Sequence, residues 1–227
     1  MRINKYLAWK KITTRKGGDD LVIKKWVKIN GRIAVLGDKV NETDLVEVKN
    51  NSKKKPYSYF AYNKPIGITT HSPQKGQQDV ARTIPVKGVF PIGRLDRDSH
   101  GLMIVTDDGR ITDKLLNPEY KHEKEYLVRT KDKLRSSFKK KMEAGVDIEG
   151  YVTKAARVRV LNDNAFTVVL TEGKKHQIRR MCSALFQEVA DLKRTRIMNI
   201  ELGNLSEGSV RPIAGKELEE FLKLLGF

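Results

Sequence analysis

The chain has 227 residues, 39% of them hydrophobic and 32% charged, and carries a formal net charge of +17 at pH 7. That length suits one large domain or two unequal ones, and apolar runs such as "FTVVL" argue for a folded core rather than disorder. So large a positive charge points to a polyanionic partner, nucleic acid before an anionic membrane, while apolar runs of about five residues fall far short of the roughly 20 that span a bilayer.

Residues 1–56 hold 15 Lys/Arg against 6 Asp/Glu, so more than half of the excess charge sits in a quarter of the chain. The start, "MRINKYLAWKK", is basic but has no apolar signal region, so the expectation is a cytoplasmic protein with no membrane association. "INKYLAWKK" places Ile3, Leu7 and Ala8 on one face and suits an amphipathic helix. "DLVIKKWVKING" predicts a second helix, capped at Asp19 or Asp20, that runs into a strand. "KINGRIAVLGDKV" predicts two short strands around Asn-Gly, the strongest hairpin signal, and "DLVEV" closes as an alternating strand. The outcome is a small α–α–β module over residues 1–50. Polar "KNNSKKKPYS" then predicts a linker at residues 51–57, and residues 58–227 form a second domain.

That second domain opens with a strand in "YSYFAYNKPIG" ending at Pro65. "GVFPIG" and "LMIVTD" predict strands, "GRITDKLLN" a short helix and "KEYLVRT" a strand. "DKLRSSFKKKMEAG" predicts a helix with Leu134, Phe138 and Met142 on one face and a stop at Gly145. "KAARVRVL" and "AFTVVLTEG" read as a hairpin around "NDN". "KKHQIRRMCSALFQ" predicts a helix, "RIMNIEL" a strand and "AGKELEEFLKLLGF" a terminal helix. Antiparallel strands with interspersed helices indicate an α+β fold with a mixed, mainly antiparallel sheet.

One cysteine, Cys182, rules out an internal disulfide and reads as a small core residue of a helix. His71, His100, His122 and His176 show no metal-binding spacing, so no metal is expected. Three stretches carry candidate chemistry. "GRLDRDSHG" joins two apolar strands through a charged loop, and Arg94 and Asp96, two apart, share a face in extended chain. Asp96 suits a nucleophile, a base, a metal ligand or a loop ion pair. "LTEGKKHQIRRM" brings a basic loop to a helix start, where free N–H groups favour anions. Tyr126 in "HEKEYLVRT" suits either a base-stacking platform or the core. Rival readings are a non-catalytic RNA-binding protein and a base-releasing glycosylase.

With "NKPIGI" (63–68), "FPIGRLDRDSHGLMIVTDDG" (90–109), "HEKEYLV" (122–128), "EGKKHQIRRMC" (172–182) and "RTRIMNIEL" (194–202), the chain resembles pseudouridine synthases of the small-subunit-A type branch. "HEKEYLV", "AGVDIEGYVTKA" and "RTRIMN" are most similar to its ribosomal large-subunit synthases of type F. Such proteins usually carry an N-terminal S4 RNA-binding domain, which residues 1–50 resemble, although Gly17 and Gly18 stand where relatives have a charged helix start. The resemblance implies isomerisation of uridine in RNA, with no cofactor and no metal. It implies ribosomal RNA as partner, with large-subunit RNA favoured and tRNA the alternative, and action as a monomer. It makes Asp96 the catalytic carboxylate, either attacking the nucleotide or taking a ribose proton. Arg179 would pair with Asp96 and keep it ionised, and Tyr126 would stack on the uracil. Arg94 would hold the RNA open. Lys5, Lys10, Lys11, Arg15, Lys174, Lys175 and Arg180 would contact RNA, and Lys64-Pro65 would form a structural turn. Asp98 is expected to be structural, and His100 has no assigned role.

Overall fold

A computed structural model describes residues 1–10, 12–49, 56–70 and 78–227. Lys11 and linker residues 51–55 lie outside the described residues. The chain forms two compact units, residues 1–57 with 108–110, and residues 58–107 with 111–227.

In the first unit, α1 (Ile3–Trp9) and α2 (Arg15–Ile23) precede three short strands, β1 (Val27–Ile29), β2 (Arg32–Ile33) and β3 (Val46–Val48). The strands form an antiparallel sheet in the order β2-β1-β3. Ile3, Leu7, Val22, Val27 and Ile29 pack into one small core. The β1–β2 turn is the Asn-Gly turn expected, with Asn30 at φ 50° and Gly31 at φ 81°, the paired left-handed geometry of a tight hairpin. Helix α2 starts five or six residues earlier than predicted. Thr14, not Asp19 or Asp20, is the cap, and its hydroxyl accepts from the Gly17 N–H at 3.1 Å. Both glycines therefore lie inside the helix. At Gly18 an added Cβ would come within 3.1 Å of the Asn4 Cα, so the glycine lets α1 and α2 approach closely.

The second unit runs β4 (Tyr59–Lys64), α3 (Val80–Thr83), β5 (Phe90–Ile92), β6 (His100–Thr106), α4 (Ile111–Leu116), a 3₁₀ turn (Pro118–Tyr120), β7 (Lys124–Thr130) and α5 (Phe138–Ala144). It continues through β8 (Arg157–Asn162), β9 (Ala165–Leu170), α6 (Gln177–Ala184), β10 (Val189–Ile197), β11 (Ile200–Glu201), β12 (Val210–Pro212) and α7 (Gly215–Leu224). The nine strands form one sheet in the order β12-β4-β6-β10-β7-β9-β8, with β5 on β6 and β11 on β10. Every pairing is antiparallel except β6 with β10. The architecture is the mixed, mainly antiparallel α+β arrangement expected. Central β6 is buried at all seven positions, which is why its sequence reads as a continuous apolar run. No helix of the described residues is long and apolar enough to cross a membrane.

Two local readings are corrected. Helix α5 begins at Phe138, because the Leu134 N–H donates to the Asp163 carbonyl at 2.6 Å and ties that segment to the β8–β9 turn. "RIMNIEL" is a turn between β10 and β11, with Met198 at φ 52°, and the main strand begins eight residues before Ile197. Strand β12 and helix α3 were not anticipated. The core of this unit includes two clusters. Phe138, Met142, Phe166, Met181 and Cys182 pack on one half of the sheet, and Tyr62, Val80, Leu95, Met103 and Val105 on the other. Tyr126 packs against both, at the seam between them.

Candidate active site

The loop between β5 and β6 is the "GRLDRDSHG" stretch, and it is held from several sides through its backbone. The Thr70 hydroxyl donates to the Leu95 carbonyl at 2.7 Å and accepts from the Leu95 N–H at 3.0 Å. The Arg97 carbonyl accepts from the Gly67 N–H at 2.9 Å, and the Ser99 carbonyl from the buried Lys64 ammonium at 2.7 Å. Lys64 is thus a fastener of this loop. Gly101, at φ 102°, ends the loop where β6 meets β10, and an added Cβ would lie 2.3 Å from the Arg194 carbonyl oxygen. Only glycine allows that approach. Arg194, beside it, donates to the Leu102 carbonyl at 2.6 Å and to the Arg94 carbonyl at 3.4 Å. His100, which the sequence left unexplained, links Nε2 to Asp191 of β10 at 2.9 Å.

The loop forms one wall of a cavity of about 390 Å³. Arg94, Asp96, Lys124, Tyr126, Lys174 and Arg194 are among its lining. The Asp96 side chain is 37% exposed, so its carboxylate is open to a ligand. Tyr126 comes from β7 and stands directly beside Arg194 of β10 in the sheet register. The opposite wall is the loop before α6. There the buried Glu172 carboxylate accepts from the Tyr151 hydroxyl at 2.7 Å, the Lys154 N–H at 3.1 Å and the Gln177 amide at 2.7 Å. Gln177 also accepts from the Lys174 N–H at 2.8 Å, so a buried network sets the course of the basic loop. Lys174 and Lys175 are exposed on it, with the Lys174 ammonium 4.3 Å from the Tyr151 ring centre.

The expected Arg179–Asp96 pair is not formed in this structure. Arg179 donates instead to the carbonyls of Asp98 at 2.7 Å and Val189 at 3.2 Å, bracing the loop against the start of β10. The side chain beside Asp96 is instead His176, whose Nε2 lies 3.5 Å from Oδ1. His176 adopts a left-handed conformation, φ 51°, immediately before α6. Asp98 acts through its backbone, as expected of a structural residue. Arg180 is bound to the Glu149 carboxylate and the Ile148 carbonyl, each at 2.7 Å. The structure therefore brings Arg94, Asp96, Tyr126, Lys174 and Lys175 to one cavity and places Arg179 behind its wall. In the first unit Lys5, Lys10 and Arg15 are exposed, with the Lys10 ammonium 4.6 Å from the exposed Trp9 ring.

Sequence reasoning missed Lys124, Glu172, His176 and Arg194. Arg194 is only 4% exposed in a strand that reads as charged, and nothing local distinguishes it from a surface arginine. Burial and the Arg194 charge push both the Lys64 and Lys124 amines down to about 8, partly offset for Lys64 by the carboxylates of Asp96 and Asp98. Burial also pushes the Cys182 thiol up to about 12, in keeping with a core residue.

Residues 58–184 match the RNA pseudouridylate synthase family. Over 231 residues the chain is 37% identical to the dual-specificity RNA pseudouridine synthase RluF of Escherichia coli (strain K12), covering 99% of this chain and 79% of the relative. It is 30% identical to the ribosomal large subunit pseudouridine synthase B of Bacillus subtilis (strain 168), covering 98% and 96%. A crystal structure of a pseudouridylate synthase superposes with a TM-score of 0.72 at 28% identity over 99% of both chains. With a family match over more than half its length and relatives aligned over nearly all of it, the chain belongs to the RNA pseudouridine synthases, enzymes that isomerise uridine to pseudouridine within RNA.

Proposed function

We propose that the chain modifies a specific uridine of large-subunit ribosomal RNA, using Asp96 and Tyr126 as its catalytic residues. The observation that carries this reading is that both open onto one cavity, rimmed by the exposed cations Arg94, Lys174 and Lys175. The ribosomal target rests on relatives named for the large subunit.

A uridine stacked in RNA hides its C1′ and C5 atoms, so it must leave the stack at a cost of about a few kcal/mol. In the proposed cycle Arg94 holds the vacated position, Lys174 and Lys175 hold phosphates, and the Tyr126 ring lies against the uracil. Asp96 then acts on the ribose. The C1′–N1 bond breaks and the base turns. C5 bonds to C1′, C5 gives up its proton and N1 gains one, so substrate and product are isomers. Arg179 is a positioning residue, because its two hydrogen bonds fix the loop that presents Asp96.

Residues 1–50 are proposed to act as an S4-type RNA-binding domain, joined by residues 51–57 to the catalytic domain at residues 58–227. Supporting this are the α–α–β order, the exposed Lys5, Lys10 and Arg15, and the concentration of charge in this segment. The chain is proposed to act as a monomer. The single buried thiol suits the reducing cytoplasm. The test is pseudouridine mapping of total RNA, by carbodiimide adduct and primer extension, with and without the gene. Loss of one large-subunit site is expected, and an unchanged map would overturn the reading.

A further inference from the structure

The cavity lining includes two inward cations, Lys124 and Arg194, besides the exposed ones at its rim. Lys124 lines it from β7, and among the described residues its ammonium donates to the His122 carbonyl alone, at 3.3 Å. Arg194 lines it from β10, and its Nη2 is buried with no hydrogen-bond partner. No carboxylate forms an ion pair with either residue among the described residues, although Arg196, two positions on, is paired with both Glu123 and Glu125. Lys64 lies behind them within the Coulomb reach of Arg194. Grouping like charges away from water is unfavourable, and an unsatisfied buried guanidinium nitrogen adds to that cost. Such an arrangement is explained when an anion forms there during the reaction.

The chemistry of this family supplies such an anion. When C1′–N1 breaks, the bonding electron pair leaves with the base, so uracil departs as an anion with its charge shared between N1 and the carbonyl oxygens. Its counterpart at C1′ is taken up either by a bond from an Asp96 oxygen or by loss of a ribose proton to Asp96. The base must be held while it turns, and the charge is consumed when C5 bonds to C1′. Lys124 is two residues from Tyr126 on the same strand, so their side chains share one face, and Arg194 is the cross-strand neighbour of Tyr126. A ring lying against Tyr126 would therefore have both cations at its edge.

We propose that Lys124, backed by Arg194, is a further catalytic residue that holds the detached uracil as an anion between departure and re-attachment. This rests on the synthase reading of the same cavity. Its charge does the holding, so the effect belongs to the rate of the chemical step and not to RNA affinity.

The test compares the full-length protein with Lys124→Met, Lys124→Gln and Lys124→Arg. The probe is total RNA labelled with [5-³H]uridine from cells lacking the gene, read as single-turnover tritium release, with RNA affinity measured by filter binding. Lys124→Met and Lys124→Gln should release tritium about 100-fold or more slowly at unchanged affinity, and Lys124→Arg should stay within about tenfold of the unaltered protein. Lys124→Gln keeps a hydrogen-bond donor without the charge and stands in if Lys124→Met does not fold. The proposal is overturned if the uncharged variants keep the rate within about threefold, if affinity falls in step with rate as for a phosphate contact, or if a folded Lys124→Arg is as slow as Lys124→Met. No tritium release by the unaltered protein would instead defeat the synthase reading.

Discussion

The two units of this chain use positive charge in opposite ways. In the first, Lys5, Lys10 and Arg15 stand exposed and form no ion pair among the described residues, where the pairs present include Arg32 with Asp38 and Arg110 with Asp108. In the second, arginines are mostly committed to the protein itself: Arg179 to two backbone carbonyls, Arg194 to two more, and Arg196 and Arg211 to carboxylates. Positive charge is left free for an external polyanion in one place and shapes a loop in the other. Free cations contribute affinity that salt screens, and committed ones contribute geometry that salt touches little.

The sharpest way to break the second half of that comparison is at Gly101. Gly101→Ala should drive a Cβ into the Arg194 backbone and destabilise the catalytic unit by about 3–5 kcal/mol, with turnover lost. A thermal melt within a few degrees of the unaltered protein would show that the β6–β10 approach is not fixed. Next comes Arg179. Arg179→Met should lower turnover about 100-fold while RNA affinity holds, because the loop carrying Asp96 loses its brace to the start of β10. Arg179→Lys keeps the charge but not the forked reach, and should fail nearly as badly. Near-normal turnover in the lysine variant would return Arg179 to a purely electrostatic role.

The first half is tested by replacing Lys5, Lys10 and Arg15 together with Gln. Turnover at saturating RNA should hold, and the salt dependence of binding should flatten by about 2–3 in slope. An unchanged slope would remove this face from the RNA grip. Smallest is Cys182. With its thiol pushed up to about 12 by burial, it should resist iodoacetamide at pH 8 in the folded protein and react only after unfolding. Rapid native labelling would contradict the core placement.

Much of the catalytic unit was legible because its signals are local. The apolar flanks of the "GRLDRDSHG" loop, the alternation of "KEYLVRT" and the Asn-Gly turn each fix a short piece of backbone. The reading of Cys182 as a core residue followed from its helix alone and agrees with its complete burial. What escaped depends on contacts far apart in the chain. Helix α2 is capped by a threonine that competes with two aspartates in the same stretch. Helix α5 loses its first turn to a hydrogen bond with Asp163, 29 positions from Leu134. Arg194 and Lys124 look like surface residues until the sheet register sets them beside Tyr126. The Arg179–Asp96 pair was inferred from resemblance, and the observed tethers show how a charge can serve a site through the backbone instead.

Asp96, presented by a tethered loop at the edge of the cavity, is proposed to carry the chemistry and not the binding. Asp96→Asn is nearly isosteric and leaves each backbone tether of the loop in place. The account predicts that it forms no pseudouridine, read by carbodiimide adduct and primer extension, while its RNA affinity stays within about threefold of the unaltered protein. Pseudouridine formed by Asp96→Asn at a comparable rate would contradict it.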